Sequence, residues 1–465
     1  MMRPTLAVSV LILALTALPL PAAPPGTTAS DMRLDAIGRK PDPGRIEADI
    51  RTLAAFGTRH TLSDTVSQTR GIGAATRWIF DEFNRISAAC GGCLEVRYVR
   101  GTIRAGEPRI PRDTEIVNVI AIQRGSHDPG RVAIMSGDID SRASDVMDAT
   151  IDAPGANDNA SGVAGALEAA RVLSRHRFPG TIVYAALSGE EQGLYGGRIL
   201  AEHARAEGWR VIAVLNNDMI GNVHGIDGIT DTRTVRVFSE GTRANETAEE
   251  ARQRRFTGGE VDSPSRNLAR YIQAHARHVP GIEVMLVYRL DRFGRGGHHR
   301  PFNDAGFPAV RVMEAHEHYD RQHQDLRVET RPDGTRRTYG DTLDGVDFAY
   351  AARVTALDAV ALAALAAAPP PPAEVRIEGA VTADTTLSWQ RPAGAQAANL
   401  AGYRIHWRAT DQPRWQHSVY VGDVQSHTLP NVIIDNWYFG VSAVGTDGSE
   451  SPVVFPGAAG SFGGY

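Results

Sequence analysis

The chain has 465 residues, of which 42% are hydrophobic and 22% are charged, and its formal net charge is −5. This composition is typical of a soluble globular protein that is long enough for more than one domain. The arginines are scattered along the chain rather than gathered in a basic stripe, so a nucleic-acid partner is not expected.

The N-terminus has the pattern of a secretory signal peptide. Residues 1–23 contain a positive charge, an apolar stretch and small residues at Ala22 and Ala23, where cleavage is expected. The apolar run is short for a membrane span and is interrupted by Pro19 and Pro21, which leaves a membrane anchor as the weaker alternative. We therefore expect a periplasmic or secreted protein without a membrane span.

The chain contains two cysteines, Cys90 and Cys93, separated by two glycines. In an oxidising compartment this spacing favours a small local disulfide. A redox-active pair is the weaker alternative, because no thioredoxin-like pattern surrounds it.

Residues 30–110 and 222–368 show the periodicities of an α/β domain. Apolar spacing predicts helices over 45–60 and 69–86 and an edge strand over 94–99. The polar segment 222–262 predicts a strand and a loop over a crevice, or a plain surface loop. Further elements are a helix opened by Asp262, Ser263 and Pro264, a strand over 282–288 and an alanine-rich helix over 348–368.

Acidic residues follow three apolar, β-branched runs, 131–135, 181–187 and 211–216, that are typical of buried parallel strands. Ligands bind beyond the carboxyl ends of such strands, so these carboxylates are expected to converge on one crevice. They are Asp138, Glu190, Glu191 and Asp218, together with Asp158 in a loop before a helix. Because crowded carboxylates repel one another, a pair of bound divalent metal ions is the natural compensation.

These motifs, in this order, resemble the zinc exopeptidases of clan MH, peptidase family M28, whose relatives include carboxypeptidases and glutaminyl cyclases. The likeness extends from about residue 56 to the region of His323. It implies an α/β fold in which a mostly parallel or mixed sheet is flanked by helices. It also implies hydrolysis of peptide or protein substrates by a water that two metal ions activate.

The resemblance implies a role for each acidic residue. Asp158 would bridge the two metal ions, and Glu191 and Asp218 would each bind one of them. Glu190 would be the general base, which takes a proton from the activated water and passes it to the leaving amine. Asp140 would orient its neighbours, although a turn carboxylate that caps a nearby backbone amide is an equal alternative.

The last ligand in the resembled family is a histidine near the end of the domain. Spacing alone does not choose among the five histidines between residues 298 and 323, but the family pattern favours His323, with His316 or His318 as alternatives. The family commonly has Asp then His where this chain has His298 and His299, which leaves the roles of both open.

Asp138 stands where the resembled family usually has a histidine ligand. One of the two metal positions would then have only oxygen ligands, from Asp138, Asp158 and Asp218. Zinc is expected, and manganese, cobalt or magnesium could compete with it at this position. The alternative is a site impaired in catalysis.

Four prolines at 369–372 indicate a stiff linker between a catalytic domain at 30–368 and a second domain. Residues 373–457 contain short, alternating, aromatic-rich segments that resemble a fibronectin type III β-sandwich. Such a domain would space the catalytic domain or dock it on a protein or surface partner.

The sequence therefore predicts a secreted metal-dependent exopeptidase, with an aminopeptidase favoured over a carboxypeptidase. Two alternatives stay open: a glutaminyl-cyclase-like acyltransferase, and a binding protein that has lost catalysis through Asp138. The sequence contains no nucleophile-elbow motif for a serine hydrolase.

Overall fold

The structure is a computed structural model that describes residues 28–392 and 399–462. The predicted signal peptide at 1–23 lies outside the described residues. Ten α-helices are found within these ranges: Ala29–Ile37 (α1), Pro43–Ala54 (α2), Gly71–Ala89 (α3), Ser161–Leu173 (α4), Glu190–Gly193 (α5), Tyr195–Ala206 (α6), Ala248–Thr257 (α7), Pro264–His275 (α8), His299–Asp304 (α9) and Phe348–Ala367 (α10).

Ten strands precede the proline linker. They are Glu95–Ile103 (β1), Thr114–Gln123 (β2), Asp128–Asp138 (β3), Gly180–Leu187 (β4), Arg210–Asn217 (β5), Thr234–Phe238 (β6), Glu283–Val287 (β7), Ala309–Glu314 (β8), Arg327–Thr330 (β9) and Arg336–Tyr339 (β10). Six follow it: Ala373–Glu378 (β11), Thr385–Gln390 (β12), Leu400–Ala409 (β13), His417–Gly422 (β14), Ser426–Leu429 (β15) and Trp437–Gly445 (β16).

Eight strands form one mixed sheet in the order β1-β2-β4-β3-β5-β8-β6-β7. The four central strands β4, β3, β5 and β8 are parallel to one another. β1 is an edge strand, as predicted, and it pairs with β2 in the antiparallel direction. The carboxyl ends of the central strands therefore meet at one edge of the sheet, where the sequence predicted the crevice.

Helices cover both faces of this sheet. One face packs against a core that includes α2, α3, α4 and α10, and the other packs against α6 and α9. Every residue of β4 is buried, which explains why the strand is apolar throughout rather than alternating. This is the α/β class that the sequence predicted.

The helix α8 begins as the sequence predicted. Ser263 is its N-cap, and its hydroxyl accepts a hydrogen bond from the backbone N–H of Arg266 at 3.1 Å, with Pro264 in the first turn. The polar segment 222–262 contains the predicted strand β6 and also a helix, α7, that was not predicted. A capping box between Thr247 and Glu250 starts α7, which has no buried residue and therefore no apolar periodicity to reveal it.

The strands after the linker form two three-stranded antiparallel sheets, β11-β12-β15 and β14-β13-β16. Their facing sides share an apolar core that includes Trp389, Tyr403 and Phe439, so these aromatic residues serve packing. The predicted small β-sandwich is present, and its assignment as a fibronectin type III domain stays a prediction.

The β-sandwich packs on helix α8 of the first domain. The guanidinium of Arg408 donates to both carboxylate oxygens of Asp262 at 2.8 Å, and both side chains are buried. Arg270 donates to the same carboxylate, also at 2.8 Å. The hydroxyl of Tyr271 donates to the backbone carbonyl of Glu450 at 2.9 Å. The second domain is thus docked on the first through buried polar contacts.

Two further expectations concern the disulfide and the membrane. Cys90 and Cys93 form a disulfide, with their Cα atoms 5.6 Å apart. Among the described residues, one helix, α10, is long and apolar enough to cross a membrane. However, 83% of its apolar stretch is buried inside the protein, as in a core helix, so it is weak support for a span.

Candidate metal centre

The acidic residues predicted from the sequence lie at the carboxyl ends of the central strands. Asp138 is the last residue of β3, Glu190 and Glu191 open α5 shortly after β4, and Asp218 follows β5 directly. Asp158 lies just before α4. The topology thus brings four distant parts of the chain to one crevice.

Three side chains are assembled as a set of metal donors. Nε2 of His323 lies 2.9 Å from an oxygen of Asp158 and 2.8 Å from an oxygen of Glu191. The three donor atoms lie within 4.8 Å of one another, and no other group of three such donors is found in the described ranges. Two carboxylates and one imidazole are a donor set that suits zinc, so these residues fit the ion that the resemblance implies.

Electrostatics tie the three donors together. Burial by itself would lower the pKa of His323, but the carboxylates of Glu191 and Asp158 outweigh burial and raise the pKa to about 9. Burial would likewise raise the pKa of Asp158, but His323 holds it well below its usual range. A positive charge placed between these two carboxylates is therefore strongly stabilised.

Glu190 lies directly before the donor Glu191 at the start of α5. Burial raises its pKa well above the usual range, and the negative charge of Glu191 adds to this effect. A carboxylate that readily accepts a proton beside a metal site has the properties of a general base.

Asp140 holds the start of α5 in place. Its two oxygens accept hydrogen bonds from the backbone N–H groups of Glu190 at 3.1 Å and Glu191 at 3.0 Å, and from the hydroxyl of Thr61 at 2.9 Å. Burial raises the pKa of Asp140 to about 6, with Glu191 as the next contribution. The sequence offered two roles for Asp140, orienting its neighbours or capping a backbone amide. The two roles coincide, because the backbone amides that Asp140 caps are those of the predicted base and ligand.

Asp138 is paired with a histidine rather than with the three donors. Nδ1 of His298 lies 2.5 Å from Oδ1 of Asp138, and the amide of Asn159 donates to Oδ2 at 2.8 Å. Both members of the pair are buried, and burial raises the pKa of Asp138 to about 7.

Asp218 is paired with an arginine. Arg311, on the neighbouring strand β8, lies 2.8 Å from Oδ2 of Asp218. Burial raises the pKa of Asp218 to about 8, although the guanidinium opposes this shift. Asp138 and Asp218 are therefore present in the crevice but are not part of the three-donor group.

The remaining histidines have other partners. Nδ1 of His316 lies 2.8 Å from Asp227 in a partly exposed position. His299 is buried, and its Nε2 lies 2.9 Å from the carbonyl oxygen of Leu290. Neither these two nor His318 belongs to the three-donor group, so the geometry favours His323 among the candidates.

Sequence reasoning missed Arg311 and gave no role to His298. Arg311 is a charged residue inside the apolar stretch 307–313, and a charge in a buried strand requires a partner. That signal was available, although it did not identify Asp218 as the partner. For His298, the adjacent pair of histidines was the available signal.

The comparisons with known proteins agree with this fold. The model of Peptidase family M28 matches residues 118–342. A protein described as a probable zinc metalloprotease of Pyricularia oryzae is 45% identical over 446 residues, which cover 94% of this chain and 88% of that protein. A second probable zinc metalloprotease, from Leptosphaeria maculans, is 44% identical over 92% of this chain and 97% of that protein.

A solved structure shares the fold. The LapA aminopeptidase of Legionella pneumophila superposes with a TM-score of 0.50 at 18% sequence identity, covering 77% of this chain and 76% of that one. Fold, site and sequence similarity together define a metallopeptidase. The chain belongs to peptidase family M28.

Proposed function

We propose that this protein is an exopeptidase, and specifically an aminopeptidase, that acts outside the cytoplasm. The observation that carries the proposal is the assembled donor set Asp158, Glu191 and His323, with Glu190 directly preceding Glu191 at the start of α5. The fold that the chain shares with a solved aminopeptidase supports the choice of the N-terminal end. The signal pattern of residues 1–23 and the disulfide support secretion.

Each residue of the site has a separate role in hydrolysis. A bound zinc ion supplies Lewis acidity, which lowers the pKa of water and polarises the scissile carbonyl. Asp158, Glu191 and His323 would hold that ion. Glu190 takes the proton from the attacking water, holds it on its carboxylate, and delivers it to the amine that leaves. Asp140 keeps Glu190 in place through the backbone.

Peptides with blocked and free ends test the proposal. We expect the mature protein with zinc to remove N-terminal residues from a free peptide and from a C-terminally amidated peptide, but not from an N-acetylated one, as followed by mass spectrometry. A chelator abolishes the activity, and added zinc restores it.

Other products would contradict the proposal. Losses from the C-terminus indicate a carboxypeptidase, and internal cleavage of a doubly blocked peptide indicates an endopeptidase. Formation of pyroglutamate from an N-terminal glutamine indicates a cyclase. No turnover with zinc, manganese or cobalt indicates a binding protein.

The Glu190→Gln variant tests the general base. We expect kcat to fall by about 10² to 10⁴, because the amide cannot accept the proton from water. The Glu202→Gln variant, on an exposed position of α6, is the matched control and should keep the rate of the unmodified protein. The zinc content of both variants is measured. A full rate in Glu190→Gln would exclude Glu190 as the base.

A further inference from the structure

The second metal position that the sequence predicts would use Asp138, Asp158 and Asp218. In the structure, both oxygens of Asp138 have hydrogen-bond partners. Oδ1 lies 2.5 Å from Nδ1 of His298, and Oδ2 accepts from Asn159 at 2.8 Å. Because Asp138 is only 2% exposed, these protein contacts replace the solvent that a free carboxylate would otherwise have.

The third predicted ligand, Asp218, already has a cation beside it. The guanidinium of Arg311 lies 2.8 Å from Oδ2 of Asp218 and also donates to the backbone carbonyl of this residue at 3.4 Å. Arg311 is completely buried. Its charge therefore acts on Asp218 with little screening by water.

Arg311 is anchored independently of Asp218. Its Nη1 donates to the carboxylate of Asp291 at 3.1 Å and to the carbonyl oxygen of Gly296 at 2.6 Å. Its strand β8 pairs with β5, so that Arg311 lies opposite Asn216 in the register. The guanidinium cannot turn away from Asp218 to admit an ion without breaking these buried contacts.

A divalent ion at this position would be repelled. An ion bound to Oδ2 of Asp218 at zinc–oxygen distance would lie within about 5 Å of the Arg311 nitrogen, since the two short distances add. Two like charges this close in a buried site are unfavourable. The guanidinium already supplies a positive charge that the crowded carboxylates require.

The first position is different. Its donors Asp158, Glu191 and His323 converge, with their donor atoms within 4.8 Å of one another. Arg142 approaches Glu191 at 3.6 Å, but it faces Oε2 and leaves Oε1 to His323.

We infer that this chain binds a single divalent metal ion at Asp158, Glu191 and His323, and that the fixed charge of Arg311 takes the place of a second ion. The inference rests on the proposed metal site, but it does not depend on which end of a peptide is cleaved. It differs from the two-ion centre expected from the sequence.

Metal counting tests the inference without measuring activity. The full protein is equilibrated with excess zinc, freed of loosely bound metal, and analysed by native mass spectrometry and elemental analysis. We expect one ion per chain. Substitution with cobalt should give the electron paramagnetic resonance signal of an isolated ion, without spin coupling. Two tightly bound ions, or coupled cobalt, would overturn the inference.

Variants locate the ion. His323→Ala should lose it, while the matched His316→Ala should keep one ion per chain, because His316 pairs with Asp227 outside the site. Asp218→Asn should also keep one ion. In a two-ion centre, Asp218→Asn would instead lower the number of bound ions per chain from two to one, and that result would contradict the single-ion centre.

The Arg311→Gln variant tests the role of the guanidinium directly. With the fixed positive charge removed, we expect a second zinc ion to bind. A count that stays at one in folded protein would refute the role assigned to Arg311, and the count of the unmodified protein decides the question if the variant does not fold.

The two proposals can fail separately. A protein with one ion that cleaves no peptide would refute the aminopeptidase, while an aminopeptidase with two ions would refute the single-ion centre alone.

Discussion

At the scale of single residues, Asp140 shows how the chain positions its chemistry. This carboxylate does not belong to the three-donor group, yet it accepts from the backbone amides of both Glu190 and Glu191. One buried side chain therefore fixes the spacing between the proposed base and a proposed metal ligand. Partners of this kind orient metal ligands in many sites.

The Asp140→Asn variant should reduce activity without removing the metal. The new amide group would direct N–H toward one of the two backbone N–H groups, which then loses its acceptor and shifts. We expect kcat to fall by about 10-fold to 100-fold. Steady-state kinetics and zinc content measure both effects. Asp145→Asn, in an exposed turn, is the control, and equal rates in the two variants would contradict a positioning role.

At the scale of elements, the β-sandwich has a half-buried acidic contact between β13 and the segment after β16. Oε1 of Glu450 accepts from Nε2 of His406 at 2.8 Å and from the hydroxyl of Ser442 at 2.6 Å, and Arg404 lies 3.2 Å from Oε2. Burial would raise the pKa of Glu450, but His406 and these further contacts lower it to about 2.

This lowered pKa predicts a pH-dependent stability. The Glu450 carboxylate is stabilised in the folded state, so its contribution is complete above its ordinary pKa of 4.5 and is lost as the pH falls toward 2. Glu450→Gln should lower the free energy of unfolding by about 1 to 2 kcal/mol at pH 7, after allowance for partial exposure.

Denaturant unfolding from pH 7 down to pH 3 checks this prediction. The difference between Glu450→Gln and the unmodified protein should shrink as the pH falls below 4.5. Glu378→Gln, on an exposed position of β11, should match the unmodified protein throughout. A difference that is constant with pH would show that packing, rather than charge, is responsible.

At the scale of the whole molecule, the β-sandwich is joined to the first domain by buried charges. Asp262, which precedes α8, is fully buried and accepts from both Arg408 of the sandwich and Arg270 of α8. Trp415 lies near both guanidinium groups, at 5.4 Å and 5.9 Å from ring centroid to charge. Trp415 therefore contributes to this junction through its contacts with the two guanidinium groups.

The Arg408→Met variant should weaken the junction. Methionine keeps much of the apolar stem but leaves Asp262 with one cation fewer, and breaking a buried pair costs about 3 kcal/mol. Scanning calorimetry should show a lower unfolding temperature. Arg376→Met, at an exposed position of β11, serves as the control, and equal behaviour of the two variants would contradict the prediction.

The sequence by itself determined three features: the acidic residues that follow the buried strands, the residues that start α8, and the alternating strands after the linker. These features depend on local periodicity and on neighbours a few residues apart. The choice of His323 came from family resemblance, and the geometry favours it. The sequence did not predict the helix α7, because its residues are not buried and show no apolar periodicity.

Only the tertiary structure decided how the charges of the crevice are paired. Arg311 meets Asp218, and His298 meets Asp138, across 93 and 160 positions of the chain. Such pairs depend on which strands become neighbours and in which register, and a single sequence does not record that information. The sequence therefore showed that the crevice needs positive charge, while the fold decided where a protein cation supplies it and where a metal ion can bind.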